Sequence, residues 1–364
     1  MSTKRILVKL MGTACLSLGA VMTLFLFSEQ QVHRNNAFTR RYPPHPVVKQ
    51  YHLDLGHNSY YVAGWDDNVL YLGNRTAPWH LLRIHLGTQD TTHIRMEPRN
   101  KNLRYRSLET RVLPPYFYVM DGTIPFILRG RTGPWIAEAW MEGTAFFNRA
   151  VPIDSTTVFI RTISSHTQRS TLGLILKSDH FQVRLDTSLL EIQLDGIFDV
   201  DGMLLKSGDG PYLGYLYYYR NEFMVFDPKL KKTNRQRTID TVQRSQIRVA
   251  EPNRQNQVQM QAPPLIINRS GSMDGNVFLV QSDRLGRNES RSMLEQASII
   301  DVYNHKKGTY EFSFYLYHME HKKVREFAIH GTHVIALIGD HLSVYRTGES
   351  YFDQTTNTKK TTGL

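Results

Sequence analysis

Four aspartates sit at polar turns between apolar runs, where carboxylates could do chemistry if the fold brought them together. They occur in similar segments of the chain: Asp67, Asp121, Asp201 and Asp274. Carboxylates around one central opening would bind a divalent metal ion or act as general acids and bases. Aspartate is also common in tight turns, because its side chain accepts hydrogen bonds from nearby backbone N–H groups. We interpret all four as turn residues and keep the catalytic role as the alternative.

Histidines near the end of the sequence form a second set of candidate ligands. Two pairs are spaced three residues apart, in HMEH at 318–321 and in HGTH at 330–333, and one more follows: His318, His321, His330, His333 and His341. A metal ion needs imidazoles that converge and groups that orient them. Strands and hairpin turns do not in general bring such pairs together. We therefore expect solvated turn histidines, no metal and no cofactor.

A strongly basic stretch covers residues 229–254. It holds eight cations and two acids, a net +6 out of the chain's +11. The candidate patch for an anionic partner consists of Lys229, Lys231, Lys232, Arg235, Arg237, Arg244 and Arg248. The alternative is a solvated edge strand, expected at 238–242, because lysine and arginine protect sheet edges. Aromatic residues are not interleaved with the cations, so we expect no nucleic-acid partner.

Strong catalytic motifs are missing from the sequence. It contains no GxxxxGK[ST], HExxH, GxSxG or CxxC pattern, and the run GDGPYLG at 208–214 lacks the spacing of a dinucleotide-binding loop. The single cysteine, Cys15, excludes internal disulfides and cysteine-rich zinc sites. The residues alone therefore indicate a location and an architecture rather than a reaction.

An uncharged apolar stretch at 10–27 is long enough for a helix of about 27 Å, which matches the hydrocarbon core of a membrane. Lys4, Arg5 and Lys9 precede it. We predict a cytoplasmic tail at 1–9, an uncleaved single-pass anchor at 10–27 and a polar linker at 28–46. The rest would then lie on the periplasmic, extracytoplasmic side of the cytoplasmic membrane. A cleaved signal peptide and a lipoprotein modified at Cys15 are the alternatives.

The body of the chain reads as repeated β-sheet. Short runs rich in Val, Ile, Tyr, Phe and Leu alternate with turn signals and are predicted as strands, for example at 157–163 and 190–194. Similar strand–turn–strand segments recur at 60–73, 116–130, 197–210 and 326–346. Turns near 67, 121, 168, 201, 274 and 331 are spaced about 53 residues apart on average, close to the length of a four-stranded repeat. Residues 52–55 are predicted to pair with the last strand and close a ring. A tandem β-sandwich is the alternative.

Four segments of the second half resemble a known family. They are PPLIINRSGSMDGNVFLVQSD at 263–283, SIIDVYNHKKGTYEFSFYLYH at 298–318, VREFAIHGTHVIALIGDHLSVYR at 324–346 and the shorter RTIDTV at 237–242. They are similar to TolB-like six-bladed β-propeller proteins of Bacteroidetes bacteria, a mostly uncharacterised family. The resemblance implies an all-β, six-bladed propeller of four-stranded antiparallel blades at 47–348. It implies little chemistry, and we expect a flexible tail at 349–364.

Two functions from different classes follow from these features. The primary hypothesis is a membrane-anchored, non-catalytic binding or scaffold module for a protein or an envelope polymer. The alternative is a hydrolase or lyase that acts on a glycan or lactone in an axial channel and uses Asp121 and Asp201. A third hypothesis is docking of residues 229–254 on an anionic membrane surface.

Overall fold

The computed structural model describes residues 3–33, 37–250 and 259–356. It begins with one long helix, α1 (Thr3–His33), whose segment Ile6–Leu26 is long and apolar enough to cross a membrane, with a mean hydropathy of 1.7. None of that segment is buried inside the protein. The helix extends beyond the predicted span 10–27 at both ends.

The first half of the body forms three four-stranded antiparallel units after strand β1 (Val47–Asp54). Unit 1 contains β2 (Tyr60–Asp66), β3 (Val69–Asn74), β4 (His80–His85) and β5 (Thr91–Arg95). The short β6 (Glu97–Pro98) precedes unit 2, which contains β7 (Glu109–Leu113), β8 (Tyr116–Asp121), β9 (Phe126–Arg131) and β10 (Ile136–Glu142). Unit 3 contains β11 (Arg149–Pro152), β12 (Thr157–Ile163), β13 (Ser170–Lys177) and β14 (Phe181–Asp186).

The second half repeats this arrangement and adds two short helices. Unit 4 contains β15 (Gly202–Lys206), β16 (Leu213–Tyr217), β17 (Glu222–Phe226) and β18 (Lys232–Arg237). Unit 5 contains β19 (Ser270–Asp274), β20 (Val277–Ser282), helix α2 (Arg291–Gln296), β21 (Ala297–Asn304) and β22 (Thr309–Tyr317). Unit 6 contains β23 (Val324–His330), β24 (His333–Ile338) and β25 (His341–Thr347), and α3 (Glu349–Thr356) follows.

The units are arranged in a closed cycle. The first strand of each unit contacts the first strand of the next, from β2 through β7, β11, β15, β19 and β23 and back to β2. Units 1 and 2 merge into one nine-stranded sheet, because β2 pairs in parallel with β7 at Gly64 and Val112, and β6 adds to β10. The fold is therefore all-β and propeller-like. A tandem β-sandwich would stack its sheets in pairs instead.

The N-terminal strand completes unit 6. β1 pairs antiparallel with β25, and Leu53 lies opposite Leu342. This confirms the pairing predicted for residues 52–55. The pairing ties the two ends of the body together and covers a strand edge that would otherwise be exposed.

Hydrophobic clusters fill the spaces between neighbouring units, and in the described part of the chain each adjacent pair shares one. Phe223 of unit 4 stacks on Phe278 of unit 5 with their ring centroids 4.2 Å apart. Phe159 of unit 3 meets Phe226 of unit 4 edge-on. All four rings are fully buried, and each contributes about 1.5–3 kcal/mol to folding. Burial on both faces explains why these strands read as near-continuous apolar runs.

Two predicted strands are wrong. Residues 190–194 lie in a loop, where Leu190 is buried in the cluster between units 3 and 4. The outer strand of unit 4 is β18, so residues 238–242 do not form it. In that segment the Ile239 N–H donates to the Tyr303 hydroxyl at 3.0 Å, and Asn221 donates to the Asp240 carbonyl. The backbone there is bonded to side chains and to the Asn221 backbone, which lies just before β17, rather than to a strand.

The segments flanking the body are more ordered than the sequence indicates. Residues 37–46 fall in the predicted linker, yet Phe38 and Arg40 are buried against unit 5. At the other end, residues 349–356 form α3 rather than a frayed tail, and Phe352 packs edge-on against Phe312. Residues 357–364 of the predicted tail lie outside the described residues.

Candidate functional site

A polar cavity of about 390 Å³ opens where units 2, 3 and 4 meet. It lies at the starts of their first strands, since Glu109 begins β7, Arg149 begins β11 and Asp201 directly precedes β15. We call this end of the ring the entry face. The lining consists of Ser107, Glu109, Met120, Gly122, Thr123, Phe147, Asn148, Arg149, Ala150, Arg161, Asp201 and Tyr218.

One wall of the cavity is built on an ion pair between units 3 and 4. Arg161 of β12 bonds the Asp201 carboxylate and donates to the Gly202 carbonyl at 3.1 Å. The Arg161 side chain is 12% exposed, and within the described residues its Nε has no hydrogen-bond partner. Asp201 also accepts from the Gly202 N–H at 2.8 Å. The pair fixes both charges in place.

A second wall depends on Asp121. Its buried carboxylate accepts four backbone N–H groups, from Arg106 at 2.6 Å, Ser107 at 2.8 Å, Thr123 at 2.8 Å and Ile124 at 3.1 Å. Burial alone would raise the pKa of Asp121, but these four donors outweigh it and lower the pKa. The side chain therefore stays ionised at neutral pH and holds the 106–107 loop against the β8–β9 turn.

The remaining lining offers hydrogen-bonding groups at the mouth. Arg149 is exposed and donates to the Asn148 carbonyl at 3.0 Å. Tyr218 is half-buried, and burial, then the Asp201 charge, raise its pKa, so it keeps its hydroxyl proton. Beside the cavity the Phe146 side chain is 65% exposed. Gly122 is required here, since a Cβ at that position would lie 1.9 Å from the Phe147 carbonyl oxygen.

The four predicted turn aspartates do not line one channel. Asp121 and Asp201 lie on the entry face, but Asp67 and Asp274 lie in turns that follow first strands, at the opposite end of the ring. Asp67 is exposed, whereas Asp274 is buried and accepts from the Asp209 and Gly331 N–H groups. Adjacent antiparallel strands place these two kinds of turn at opposite ends of a unit. The alternative in which these four carboxylates surround one central opening is therefore wrong.

The five histidines are dispersed over units 5 and 6. His318 contacts Ser298, His321 is exposed in a tight turn, and His330 stacks on Trp65 at 5.1 Å beside its strand partner His333. The HGTH pair is therefore brought side by side across its hairpin, contrary to the expectation for such turns, whereas His318 of the HMEH pair contacts Ser298 instead.

His341 belongs to a separate cluster of ligand-type side chains. Ligand atoms of Asp54, Asp340 and His341 lie within 4.8 Å of one another. The Lys322 ammonium is 2.9 Å from an Asp340 oxygen and lowers the pKa of that carboxyl to about 2. The lysine already supplies the positive charge that a metal ion would bring.

Most of the basic patch lies on the outer strand of unit 4 and the turn before it, and none of its seven members lines the cavity. Lys229 and Lys231 precede β18, Lys232 begins it and Arg237 ends it. These residues are exposed, as are Arg244 and Arg248 in the following loop. The seventh member, Arg235, is paired with Glu191 and Glu222. Residues 251–258 of the basic stretch lie outside the described residues.

Sequence reasoning missed most of the cavity. Glu109, Arg149, Arg161 and Tyr218 stand on three different units, and no local spacing connects them. The sequence offers one clue to these residues, namely polar side chains at the start of a unit's first strand. Such positions lie on the entry face.

Comparisons with known proteins show the fold alone. No family model matches the chain, and no curated protein matches it. Among solved structures, a member of the DUF4221 family from Bacteroides vulgatus is similar with a TM-score of 0.50 and 11% identity, over 83% of this chain and 97% of that one. A luciferin-regenerating enzyme is similar with a TM-score of 0.46 and 12% identity, over 83% of this chain and 95% of that one. The chain thus has a β-propeller-like fold shared with the Bacteroides protein.

Proposed function

We propose that this chain is a membrane-anchored, exported six-bladed β-propeller whose cavity between units 2, 3 and 4 acts as a non-catalytic binding module for a protein or an envelope polymer. The blades would be units 1 to 6 at 47–348, in the arrangement of TolB-like proteins. The closed cycle of first strands and the strand shared between the two chain ends support this assignment. Residues 1–9 would lie in the cytoplasm and the propeller in the periplasm. An active alkaline phosphatase fused to the C-terminus would support that orientation, and an inactive one would oppose it.

The observation that carries the binding role is the preformed polar cavity on the entry face. Its volume of about 390 Å³ lies within the usual range of ligand sites, about 300–1,000 Å³. The lining includes Arg149 and Tyr218, and the exposed Phe146 directly precedes the lining residue Phe147. Arginine, tyrosine and other aromatic side chains dominate the energetics of protein interfaces. A sugar unit or one acidic side chain of a partner fits this size and chemistry.

The alternative function is hydrolysis or elimination on a glycan or lactone at the same cavity. Two carboxylates, Glu109 and Asp201, both line it, and paired carboxylates carry out glycoside chemistry. Both are already engaged, however, Glu109 by Arg111 and Asp201 by Arg161. These ion pairs favour a binding role.

A matched pair of charge reversals tests the proposal. Full-length tagged protein is purified in mild detergent from cell envelopes, and the retained proteins and sugars are quantified. Arg149→Glu is expected to reduce the retained partner at least about tenfold, the equivalent of about 1.4 kcal/mol. Arg95→Glu makes the same charge change on an outer strand, where the side chain is 75% exposed, and should retain the partner. Equal retention by both variants would contradict the proposal.

A further inference from the structure

A second cavity, of about 290 Å³, lies at the entry-face end of unit 5, and it shares no lining residue with the site proposed above. It contains a serine and a histidine in direct contact, since the Ser298 Oγ is 3.1 Å from the His318 Nε2. Ser298 is the second residue of β21, and His318 follows the end of β22. Both side chains line the cavity.

The hydrogen bonds fix the direction in which this serine and histidine interact. His318 Nδ1 is 3.0 Å from the Glu295 carbonyl oxygen, which can only accept, so Nδ1 carries the proton. Burial, then the nearby Lys323 charge, lower the pKa of His318 despite the Glu295 carbonyl, so the ring is neutral at pH 7. The Nε2 atom is then an acceptor, and the Ser298 hydroxyl donates its proton to it.

Two further side chains continue the same chain of hydrogen bonds across the sheet. Ser270 Oγ donates to Gln281 Oε1 at 2.7 Å, which orients the amide so that Gln281 Nε2 donates to Ser298 Oγ at 3.2 Å. Ser270, Gln281 and Ser298 are all buried. Hydrogen bonds in a chain of this kind polarise one another in a low-dielectric interior. The donor on Oγ also stabilises the negative charge that develops as its proton leaves.

We propose that Ser298 and His318 form a nucleophile–base pair that hydrolyses small carboxylic esters. This arrangement has the three members that nucleophilic catalysis requires: a hydroxyl, a base within hydrogen-bond reach and a third group that orients the base. Here the third group is the Glu295 carbonyl.

The reaction balances with these groups and one water. Ser298 Oγ bonds to the acyl carbon while its proton passes to His318 Nε2. His318 then gives that proton to the alcohol oxygen as the ester C–O bond breaks, leaving an acyl-serine. Water, deprotonated by His318, attacks the acyl carbon, the bond to Oγ breaks, and Oγ recovers the proton. The products are the carboxylic acid and the alcohol.

The rest of the lining sets the substrate class. Leu294 and Ala297 give it an apolar portion, and the volume limits the acyl group to a few carbons. Arg269 is paired with Asp283, while Lys323 is exposed. With Arg291 and Glu295 the lining carries three cations and two carboxylates, so it does not repel an ester with an acidic acyl group.

Active-site labelling of the full-length protein in detergent tests this proposal. A fluorophosphonate probe phosphonylates only an activated serine, releasing fluoride, and mass spectrometry identifies the modified peptide. We expect labelling of Ser298 in the wild-type protein, and a burst of about one equivalent of nitrophenolate from p-nitrophenyl acetate followed by steady turnover. The variants Ser298→Ala and His318→Gln should each lose at least about 100-fold in labelling rate, in line with the usual contribution of a positioned base.

The control is Ser165→Ala, which removes an exposed hydroxyl in the turn between β12 and β13, away from α2 and this cavity, and should leave the labelling rate unchanged. Circular dichroism of each variant shows whether it is folded. The wild-type result does not depend on any variant. An unlabelled Ser298 in folded wild-type protein, or labelling that is indifferent to His318→Gln, would overturn the proposal and leave a purely structural hydrogen-bond chain. The binding role proposed for the cavity between units 2, 3 and 4 would be unaffected by this result.

Discussion

Arg40 and Asp301 form a buried two-point ion pair, with Nε 2.6 Å from Oδ1 and Nη2 3.1 Å from Oδ2. Nη1 of Arg40 also donates to the Arg284 carbonyl at 2.9 Å and to Glu289 at 2.7 Å. Arg40 comes soon after the end of α1 at His33. The segment that leaves the apolar helix is therefore fastened to unit 5, and the body does not hang from a long tether.

Replacing Arg40 should destabilise the body strongly. Arg40→Ala leaves Asp301 and Glu289 buried without their cation, which typically costs about 3–5 kcal/mol. Chemical denaturation of the full-length protein in detergent measures this loss. The neighbouring Arg41 is exposed and serves as the control, since Arg41→Ala should cost under about 1 kcal/mol. Similar losses for the two variants would mean that the segment is not docked in this way.

Gly64 should be irreplaceable at the contact between units 1 and 2. A Cβ at this position would lie 2.0 Å from the Val112 carbonyl oxygen, so Gly64→Ala must push β2 away from β7. We expect a loss of several kcal/mol in unfolding free energy, or failure to fold. Gly87→Ala is the matched control, because the nearest atom would be 3.3 Å away on the His85 ring. Thermal melts that are equal for both variants would rule out this close strand approach.

Asp121 should stabilise the folded protein by an amount that depends on pH. Its folded pKa lies below the unfolded value of 3.8, so its stabilisation is present above that value and is lost as the pH falls through the folded pKa. Asp121→Asn should cost about 1–3 kcal/mol at pH 7, because the amide cannot satisfy four backbone donors. The difference in unfolding free energy between wild type and variant should become smaller below pH 4. A difference that stays constant from pH 7 to pH 3 would contradict this role.

The exposed cations of unit 4 should bind polyanions through charge alone. Replacing Lys229, Lys231 and Lys232 together by Gln should lower the salt concentration at which the protein elutes from an anionic matrix. The control triple replaces three exposed cations elsewhere by Gln: Lys49, Lys101 and Arg104. Equal shifts for the two triples would show a response to net charge rather than a patch.

Local patterns predicted the strands well wherever turns bracket them. Residues 157–163 were predicted as a strand and form β12 with the same bounds, because polar turns flank an apolar run. The segment 190–194 looks equally apolar, yet it fills a gap between units 3 and 4 as a loop. The pattern of apolar residues along the sequence predicts which side chains are buried. It does not predict whether a neighbouring strand is available for backbone pairing.

The sites were much harder to predict than the strands. Arg161 and Asp201 are 40 positions apart, and only the packing of unit 3 on unit 4 makes them partners. Ser298 and His318 are 20 positions apart across a hairpin and match no linear motif. The docking of Arg40 depends on Asp301, 261 positions away. Long-range contacts of this kind follow from ring closure, which composition and spacing do not encode.

The most direct test of the central claim, that the entry-face cavity is the binding site, is photo-crosslinking in intact cells. A benzophenone amino acid replaces Phe146 beside the cavity or, as the control, Val48 on β1, which is 49% exposed. We predict a discrete adduct at position 146 that disappears when Arg149→Glu is added, and no adduct at position 48. Adducts of equal yield at both positions, or none at position 146, would contradict the account.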